Sequence, residues 1–350
     1  MKKIRILGAG ISGLTAAATL AKAGYRVEVY EKRRDVGMRF RGDLEGLENW
    51  SEKKDVVREM REMGLGINFD CDEFYRVKLT NLERSSEILT ERPLYYLVKR
   101  GSSPGALDYG LREQAEKAGA IIRFEEILPA QEADIIATGP IPKNTFGIVK
   151  GMSFTTAVAD TIEVIINNKA AHNGYSYLLI TKGYGSIGTV VVNDLSKINS
   201  CFEITRDYFI EKYGLAMESA SAFGGAGSFS FHKIYRREKT LYTGEAAGLQ
   251  DFLYGFGMRY ALRSGHLAAR CIIDGRDYQL EAIKCFGRKN KACIVNRYLW
   301  EKASKYNYRH VIANFRFIMN NRHRIYNYSL PQKILFPFAL KYIMRNYPSL

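Results

Sequence analysis

The first 31 residues contain the feature that most limits how this chain folds, a glycine-spaced turn between an apolar strand and a helix. Ile4 to Leu7 form a short apolar run, and Gly8-Ala-Gly10-Ile-Ser-Gly13 follows it directly. The small residues from Leu14 to Ala23 predict a helix. Residues 26–30 alternate as a second strand, which closes with an acid, Glu31. The order of these elements predicts a nucleotide-binding α/β unit.

Each glycine of this turn has a physical task. Gly8 allows the tight turn, Gly10 lets the backbone approach a pyrophosphate, and Gly13 lets the helix pack closely on the sheet. The helix N-terminus offers free N–H groups to the phosphates. Glu31 stands where an acid accepts hydrogen bonds from the ribose hydroxyls of an adenosine group. We therefore expect dinucleotide binding here, and no signal peptide, since a signal peptide needs neither spaced glycines nor a strand with an acidic end.

A second stretch has the same glycine spacing, Gly183-Tyr-Gly185-Ser-Ile-Gly188. It is followed by Thr189 to Val192, a β-branched strand, whereas a phosphate site requires a helix at that point. We interpret Tyr175 to Ile180 and Thr189 to Val192 as a hairpin with a glycine-rich connection. No nucleotide is expected there.

Composition excludes a disordered chain, a collagen-like chain and a small disulfide-rich scaffold. The chain has 350 residues, of which 46% are hydrophobic and 25% charged, as in ordinary globular proteins. Its five cysteines contain no C-x-x-C pair, which predicts reduced thiols, a reducing compartment and a cytoplasmic location. The five histidines form no zinc-binding spacing, so no metal is expected.

The basic surplus is concentrated near the end of the sequence. Residues 281–350 contain fourteen Lys and Arg against two Glu, a net charge of +12 out of +15 for the whole chain. Apolar residues recur at helical spacing among these cations, at Val311, Ile312, Phe315, Ile318 and Met319, and again over 334–344. This pattern predicts that the protein binds peripherally to an anionic membrane surface and does not bind nucleic acid. The alternative is that the tail packs on the rest of the chain.

Three separated segments resemble one family. The N-terminal turn with Glu31, the segment Ile135-Ile-Ala-Thr-Gly139, and Tyr242-Thr-Gly-Glu-Ala-Ala-Gly248 through Gly255-Phe-Gly257-Met258 are similar to FAD-dependent oxidoreductases of the para-hydroxybenzoate hydroxylase superfamily. Within it the chain most resembles the geranylgeranyl reductases, whose late motif reads G-D-A-A-G before a helix that ends in S-G. Arg263-Ser264-Gly265 closes the same stretch here.

The resemblance implies FAD as cofactor and a set of residues that bind it. These residues are Gly8, Gly10, Ser12, Gly13, Glu31, Lys32, Arg41, Gly244, Glu245, Gly255, Gly257 and Met258. In that family the late acid, here Glu245 in place of Asp, lies near the ribityl and pyrophosphate groups. The N-terminus of the helix that begins at Met258 would face the flavin ring, whose reduced form is negative near N1.

The chain departs from its relatives beside the flavin. The stretch Tyr175-Ser-Tyr177-Leu-Leu-Ile180 lacks the Trp and Pro of the reductase element Y-x-W-x-F-P and of the halogenase element W-x-W-x-I-P. Arg39-Phe-Arg41-Gly42 lacks the early reductase Cys. Tyr175 and Tyr177 are predicted to line a substrate pocket, or else to be ordinary sheet aromatics. The catalytic residues are left unassigned.

The predicted fold class is α/β, a glutathione-reductase-type Rossmann-like FAD domain with an inserted antiparallel-sheet substrate domain and a helical C-terminal tail. The FAD domain is expected from 1–50, 91–150 and 235–280, the substrate domain from 51–90 and 151–234, and the basic helical region from 281–350.

The predicted function is hydride transfer from reduced FAD to a carbon–carbon double bond of an isoprenoid or other apolar substrate, with NAD(P)H or a ferredoxin-like protein as electron donor. Three alternatives stay open. They are an FAD monooxygenase, a membrane-surface or nucleic-acid binding protein with a relict Rossmann domain, and a flavin-holding lipid carrier or subunit without turnover.

Overall fold

The computed structural model describes residues 2–350, which form three sheets flanked by helices. In chain order the strands are β1 (Lys3–Leu7), β2 (Arg26–Glu31), β3 (Leu44–Glu48), β4 (Asp72–Phe74), β5 (Arg76–Thr80), β6 (Ser85–Leu89), β7 (Tyr95–Lys99), β8 (Ile121–Phe124), β9 (Ile135–Ile136), β10 (Thr145–Thr155), β11 (Thr161–Ile165), β12 (Tyr175–Thr181), β13 (Tyr184–Val192), β14 (Glu218–Ser228), β15 (Arg236–Arg237) and β16 (Thr240–Tyr242). The α-helices are α1 (Ile11–Lys22), α2 (Val56–Glu62), α3 (Leu107–Lys117), α4 (Ile198–Tyr213), α5 (Met258–Asp274), α6 (Tyr278–Ser304), α7 (Arg309–Ala313), α8 (Phe315–Asn320) and α9 (Leu330–Asn346).

The first sheet has the order β15-β16-β9-β1-β2-β8, with parallel pairing from β16 to β8. Its central strands place Ile6, Val27 and Val29 in the core without exposed surface. Helix α1 packs against α3 and α5 over this sheet. Parallel strands need crossover helices that cover the sheet, which explains why α1 is buried along ten consecutive residues. The predicted α/β fold class is confirmed.

The second sheet has the order β14-β10-β13-β12-β11-β5-β6 and is antiparallel except between β11 and β5. Strands β12 and β13 form the predicted hairpin, but the connection is only Lys182-Gly183. The glycine-rich stretch lies inside β13. There Gly185 leaves room for the ring of Phe154, and Gly188 leaves room for the ring of Tyr177. The prediction of a glycine-rich connection was therefore wrong in this detail.

A small third sheet has the order β3-β7-β4, and its strand β3 contacts helix α5 as well as strands β12 and β13 of the second sheet. Helix α2 begins at Val56, because the carboxylate of Asp55 accepts hydrogen bonds from the Val57 and Arg58 N–H groups and caps the helix there. Val56 and Met60 then enter the core of the first sheet, and β10 runs across residue 150. The domain boundaries stay a prediction. Helix α2, from the segment assigned to the substrate domain, packs with the first sheet, and strand β10 continues through the boundary at residue 150.

The basic C-terminal region packs on the second sheet. Ile312, Phe315 and Met319 are buried in the same core as Phe146 and Leu179. These three tail residues were expected to face a membrane, so this part of the prediction is corrected: packing on the sheet already removes them from water. Within residues 2–350, no helix combines the length and apolar character needed to cross a bilayer.

Candidate active site

The glycine turn after β1 borders a cleft of about 550 Å³. A Cβ on Gly8, which has φ +104°, would lie 2.5 Å from the Ala137 carbonyl oxygen, and one on Gly13 would lie 2.0 Å from the Gly8 oxygen. The fold itself thus requires these two glycines. By contrast, a Cβ on Gly10 would meet no atom of residues 2–350 within 4 Å. Gly10 therefore fronts open space in the cleft, as a turn that admits a pyrophosphate must.

The first turn of α1 points unpaired backbone N–H groups at this cleft. Gly10 caps the helix without any side-chain hydrogen bond. The Ser12 hydroxyl is 2.6 Å from the Thr243 hydroxyl and is buried, so its side chain joins two segments of the fold. The Ser12 hydroxyl is thus occupied within the fold, and only its backbone N–H would be left for a ligand at this helix N-terminus.

Glu31 is held by the turn that it faces. One carboxylate oxygen accepts the Ala9 N–H at 2.9 Å, and the other accepts the Arg33 N–H at 3.0 Å. Each oxygen keeps a lone pair for a further donor. Glu31 and the exposed Lys32 both line the cleft, which is where the sequence placed them.

On the opposite side of the cleft, Gly244 and Glu245 lie in a short 3₁₀ turn. Gly244 has φ +58°, and its N–H donates to the Ser264 hydroxyl at 2.8 Å. One oxygen of Glu245 accepts from Arg39 Nη1 at 3.2 Å, while the other is buried without a partner. Burial raises the pKa of Glu245. A buried oxygen without a donor is costly, so this carboxyl group is arranged for a ligand hydroxyl or N–H.

Two of the predicted cofactor-binding residues, Gly13 and Arg41, are not among the residues that line this cleft. Arg41 lies in a neighbouring cleft between Met38 and the β14 segment 222–226, and its backbone N–H donates to Asp43 at 2.8 Å. Arg39 borders both clefts and forms the ion pair with Glu245. Sequence reasoning missed Arg39, although it stands in the same Arg39-Phe-Arg41-Gly42 stretch.

The cleft ends at Gly255, Gly257 and Met258, where α5 begins without a side-chain cap. Gln250 Nε2 donates to the Gly255 oxygen at 2.8 Å, and the Gln250 Oε1 atom is buried without a partner. The uncapped N-terminus of α5 and the unpartnered Gln250 Oε1 atom thus lie together at this end of the cleft. They fit the polar edge of a flavin ring, which presents both donors and acceptors.

A second cavity, of about 190 Å³, continues from this point. The residues that it shares with the first cleft are Arg39, Phe40, Glu45, Gln250, Gly255, Gly257 and Met258. Its remaining walls are mostly aromatic and aliphatic, and they include Phe146, Ile162, Val164, Tyr175, Tyr177, Leu179, Val190 and Tyr254. Tyr175 and Tyr177 therefore lie where a substrate pocket was predicted. Burial raises the pKa of both tyrosines, so their hydroxyls keep their protons.

Two carboxyl groups on and before β3 also line the second cavity. Asp43 is 3% exposed, and burial together with the negative charge of Glu45 raises its pKa to about 6. Glu45 pairs with Arg100 Nη1 at 2.8 Å, and Arg100 is held in turn by Asp108 at 2.8 and 3.0 Å. Asp43 can therefore hold or release a proton near neutral pH inside an apolar cavity. No motif in the sequence marks it.

The described residues contain no group of three or more His, Cys, Asp or Glu arranged to hold a metal ion. Cys71, Cys201, Cys271, Cys285 and Cys293 are free thiols. Burial is the main cause of the raised pKa of Cys293. Its thiol lies 3.0 Å from an Asp251 carboxylate oxygen, and Cys293 lines neither cavity. Neither feature adds chemistry to the two cavities.

Comparison with known proteins supports the fold. Residues 6–44 match the NAD(P)-binding Rossmann-like domain. A geranylgeranyl bacteriochlorophyll reductase-like protein from Thermoplasma acidophilum superimposes with a TM-score of 0.70 at 19% identity, over 99% of this chain and 97% of that one. The chain has the fold of the flavoprotein oxidoreductases it resembles. A flavin-dependent brominase superimposes with a TM-score of 0.66 at 14% identity, over 98% of both chains.

Curated relatives match a shorter stretch. L-amino-acid oxidase from Vipera ammodytes ammodytes is 30% identical over 151 residues, which are 39% of this chain and 28% of the oxidase. A homologue of the NAD-dependent dihydropyrimidine dehydrogenase subunit PreT from Salmonella typhi is 27% identical over 47% of this chain and 37% of that protein. The chain thus spans about a third of the length of these relatives. The matches agree with the predicted flavin cofactor and leave the reaction open.

Proposed function

We propose that this protein is an FAD-dependent oxidoreductase that reduces a carbon–carbon double bond of an apolar, isoprenoid-type substrate. The observation that carries the proposal is the joining of the two cavities. A polar cleft with a glycine turn, two uncapped helix N-termini and two unpartnered oxygens leads at Gly255–Met258 into a cavity lined by aromatic and aliphatic side chains. The first suits a dinucleotide, and the second an apolar chain.

The residues of the first cleft bind and orient the cofactor. The α1 N-terminus at Gly10 would hold the pyrophosphate, and Glu31 the adenosine ribose. Glu245, oriented by Arg39, would accept a hydrogen bond from the ribityl chain. The positive end of the α5 helix dipole at Met258 would stabilise negative charge on the flavin ring. When bound, FAD supplies the hydride.

The residues of the second cavity would position the substrate and exclude water. Tyr175 donates to the Tyr254 carbonyl oxygen at 2.9 Å, and the Tyr175 ring packs edge-on to the Tyr254 ring at 5.9 Å. These contacts fix one wall of the cavity. Asp43 is the proposed proton donor: its carboxyl would supply the proton that one alkene carbon takes up when the double bond is reduced. The reducing equivalents would come from an external donor, NAD(P)H or a ferredoxin-like protein.

The test begins with the visible spectrum of the purified protein and identification of the extracted cofactor. Protein reduced with dithionite under anaerobic conditions is then mixed with geranylgeraniol as the probe alkene. We expect the flavin to reoxidise and the product to gain two hydrogen atoms per reduced bond. A colourless protein that fails to bind added FAD overturns the cofactor assignment.

Substrate-dependent oxygen uptake with insertion of oxygen would instead identify a monooxygenase. A flavin that reduces with dithionite but is reoxidised by no alkene would indicate a carrier or subunit without turnover. Both outcomes keep FAD and overturn the proposed reaction.

A further inference from the structure

Helix α9 presents an outward face with two unlike halves. Leu330, Ile334 and Phe338 follow one another at intervals of four residues, which places them on one face of the helix. Their side chains are 70%, 62% and 67% exposed. Lys341 and Arg345 continue the same face toward the C-terminus and are also exposed. The face therefore passes from apolar to cationic along one helix.

The opposite face of α9 already holds the helix in place. Ala339 and Ile343 have no exposed surface, and they pack in the core shared with α6 and the second sheet. The Gln332 side chain donates to Asn296 Oδ1 at 2.9 Å and to the Ile325 oxygen at 2.7 Å. The outward residues are thus not needed to dock the helix. Large apolar side chains left this exposed, next to one another, mark an interaction surface.

Charge identifies the kind of partner. Glu301 is the last acidic residue of the sequence, so none follows it up to residue 350. Lys333 flanks the apolar half of the face, and Lys341 and Arg345 complete it. The partner must therefore accept three apolar side chains and several cations together, which an anionic bilayer does through its acyl boundary and its headgroups.

A second copy of this chain fits the face less well. In a parallel pairing of two α9 helices, Lys341 and Arg345 would oppose their own copies, and in an antiparallel pairing they would oppose Leu330 and Ile334. Either arrangement buries cations without partners. Nucleic acid would leave the apolar half in water.

We infer that the outward face of α9 docks this protein on anionic membranes, with Leu330, Ile334 and Phe338 in the acyl boundary and Lys341 and Arg345 at the headgroups. This attachment is independent of the proposed reaction. It keeps the membrane contact that the sequence suggested for residues 334–344 and excludes the one suggested for Ile312, Phe315 and Met319, which are buried.

The experiment compares sedimentation of the full chain with phosphatidylglycerol vesicles and with phosphatidylcholine vesicles. We expect strong binding to the first, weak binding to the second, and partial release by added salt. The double variant I334Q/F338Q should lose at least ten-fold in binding. The double variant K341Q/R345Q should lose roughly five-fold per charge on phosphatidylglycerol alone.

Matched controls separate this face from general properties of the protein. L280Q/I283Q removes two apolar side chains on α6 that are 58% and 50% exposed. K117Q/K239Q removes two exposed cations elsewhere and lowers the net charge equally. Both should bind vesicles like the unaltered protein, and circular dichroism should show all four variants folded.

Three results would overturn the inference. They are equal binding to both lipids, no binding to either, and equal losses in the control variants. A change in sedimentation coefficient of I334Q/F338Q without lipid would show instead that the face joins two copies. Preferential binding to duplex DNA at the same salt concentration would assign the cations to nucleic acid.

Discussion

The glycine spacing G-x-G-x-x-G occurs at 8–13 and again at 183–188, and the two copies serve the two cavities in different ways. The first is followed by helix α1, and its middle glycine fronts open space in the polar cleft. The second lies inside strand β13, where Gly188 leaves room for the ring of Tyr177 on the wall of the apolar cavity. The element that follows a glycine pattern therefore decides whether the missing side chains admit a ligand or an aromatic ring.

The largest expected effect is at Gly10. Gly10→Val should abolish FAD binding while the protein stays folded, because a Cβ at this position has no neighbouring atom of residues 2–350 within 4 Å and the branched side chain fills the space in front of the turn. Flavin retention after gel filtration and thermal unfolding of the apoprotein measure both properties. Gly13→Ala is the contrasting variant: its Cβ would lie 2.0 Å from the Gly8 oxygen, so stability should fall as well. A yellow Gly10→Val protein would remove the turn from the cofactor site.

Glu31→Ala should weaken FAD binding by about 1.5–3 kcal/mol, the usual contribution of a hydrogen bond to a charged group. The variant also leaves the Ala9 N–H without its acceptor, so the turn should loosen. Isothermal titration of the apoprotein with FAD gives the change in affinity. Glu126→Ala, which removes a carboxyl from an exposed side chain outside the cleft, is the control. Unchanged affinity in Glu31→Ala would exclude this acid from the site.

For the second motif, Gly185→Ala should lower the free energy of unfolding by about 1–3 kcal/mol, as overpacking of a core does. The added Cβ would lie 2.7 Å from the ring of Phe154, which is 1% exposed. FAD affinity should not change. Gly66→Ala, whose Cβ meets only ordinary contacts at 3.8 Å, is the matched control in urea unfolding. A loss of FAD affinity in Gly185→Ala would mean that the second motif touches the cofactor.

The sequence predicted the parts of this molecule whose physics is local. The strand, glycine turn, helix and second strand ending at Glu31 were expected from neighbouring residues of the chain, and all of them are found there. The role of Arg39 could not be read in this way, because its partner Glu245 lies 206 residues further along the chain. The fate of Ile312, Phe315 and Met319 was equally hidden, since a helical apolar stripe looks the same whether a sheet or a membrane covers it. The substrate and its reaction stay predictions.

The smallest expected effect concerns Asp43, which lines the apolar cavity. Burial and Glu45 raise its pKa from 3.8 to about 6, so the folded chain holds this proton more tightly than the unfolded chain. Stability from this group is then fully present below pH of about 4 and is lost as pH rises through about 6. We expect a loss of about 1–2 kcal/mol by pH 7.

Asp43→Asn should remove that decline and leave a protein slightly more stable at pH 7 than the unaltered chain, as measured by urea unfolding between pH 4 and 7.5. Glu45→Gln is a second test, because it keeps Asp43 but deletes the neighbouring negative charge. The pKa of Asp43 should then fall, and the decline in stability should begin at lower pH. If Asp43 is also the proton donor, Asp43→Asn slows flavin reoxidation by the alkene while flavin reduction by dithionite is unchanged. An identical pH dependence of stability in the unaltered chain and Asp43→Asn would show that this carboxyl titrates normally, and would leave the apolar cavity without its proton source.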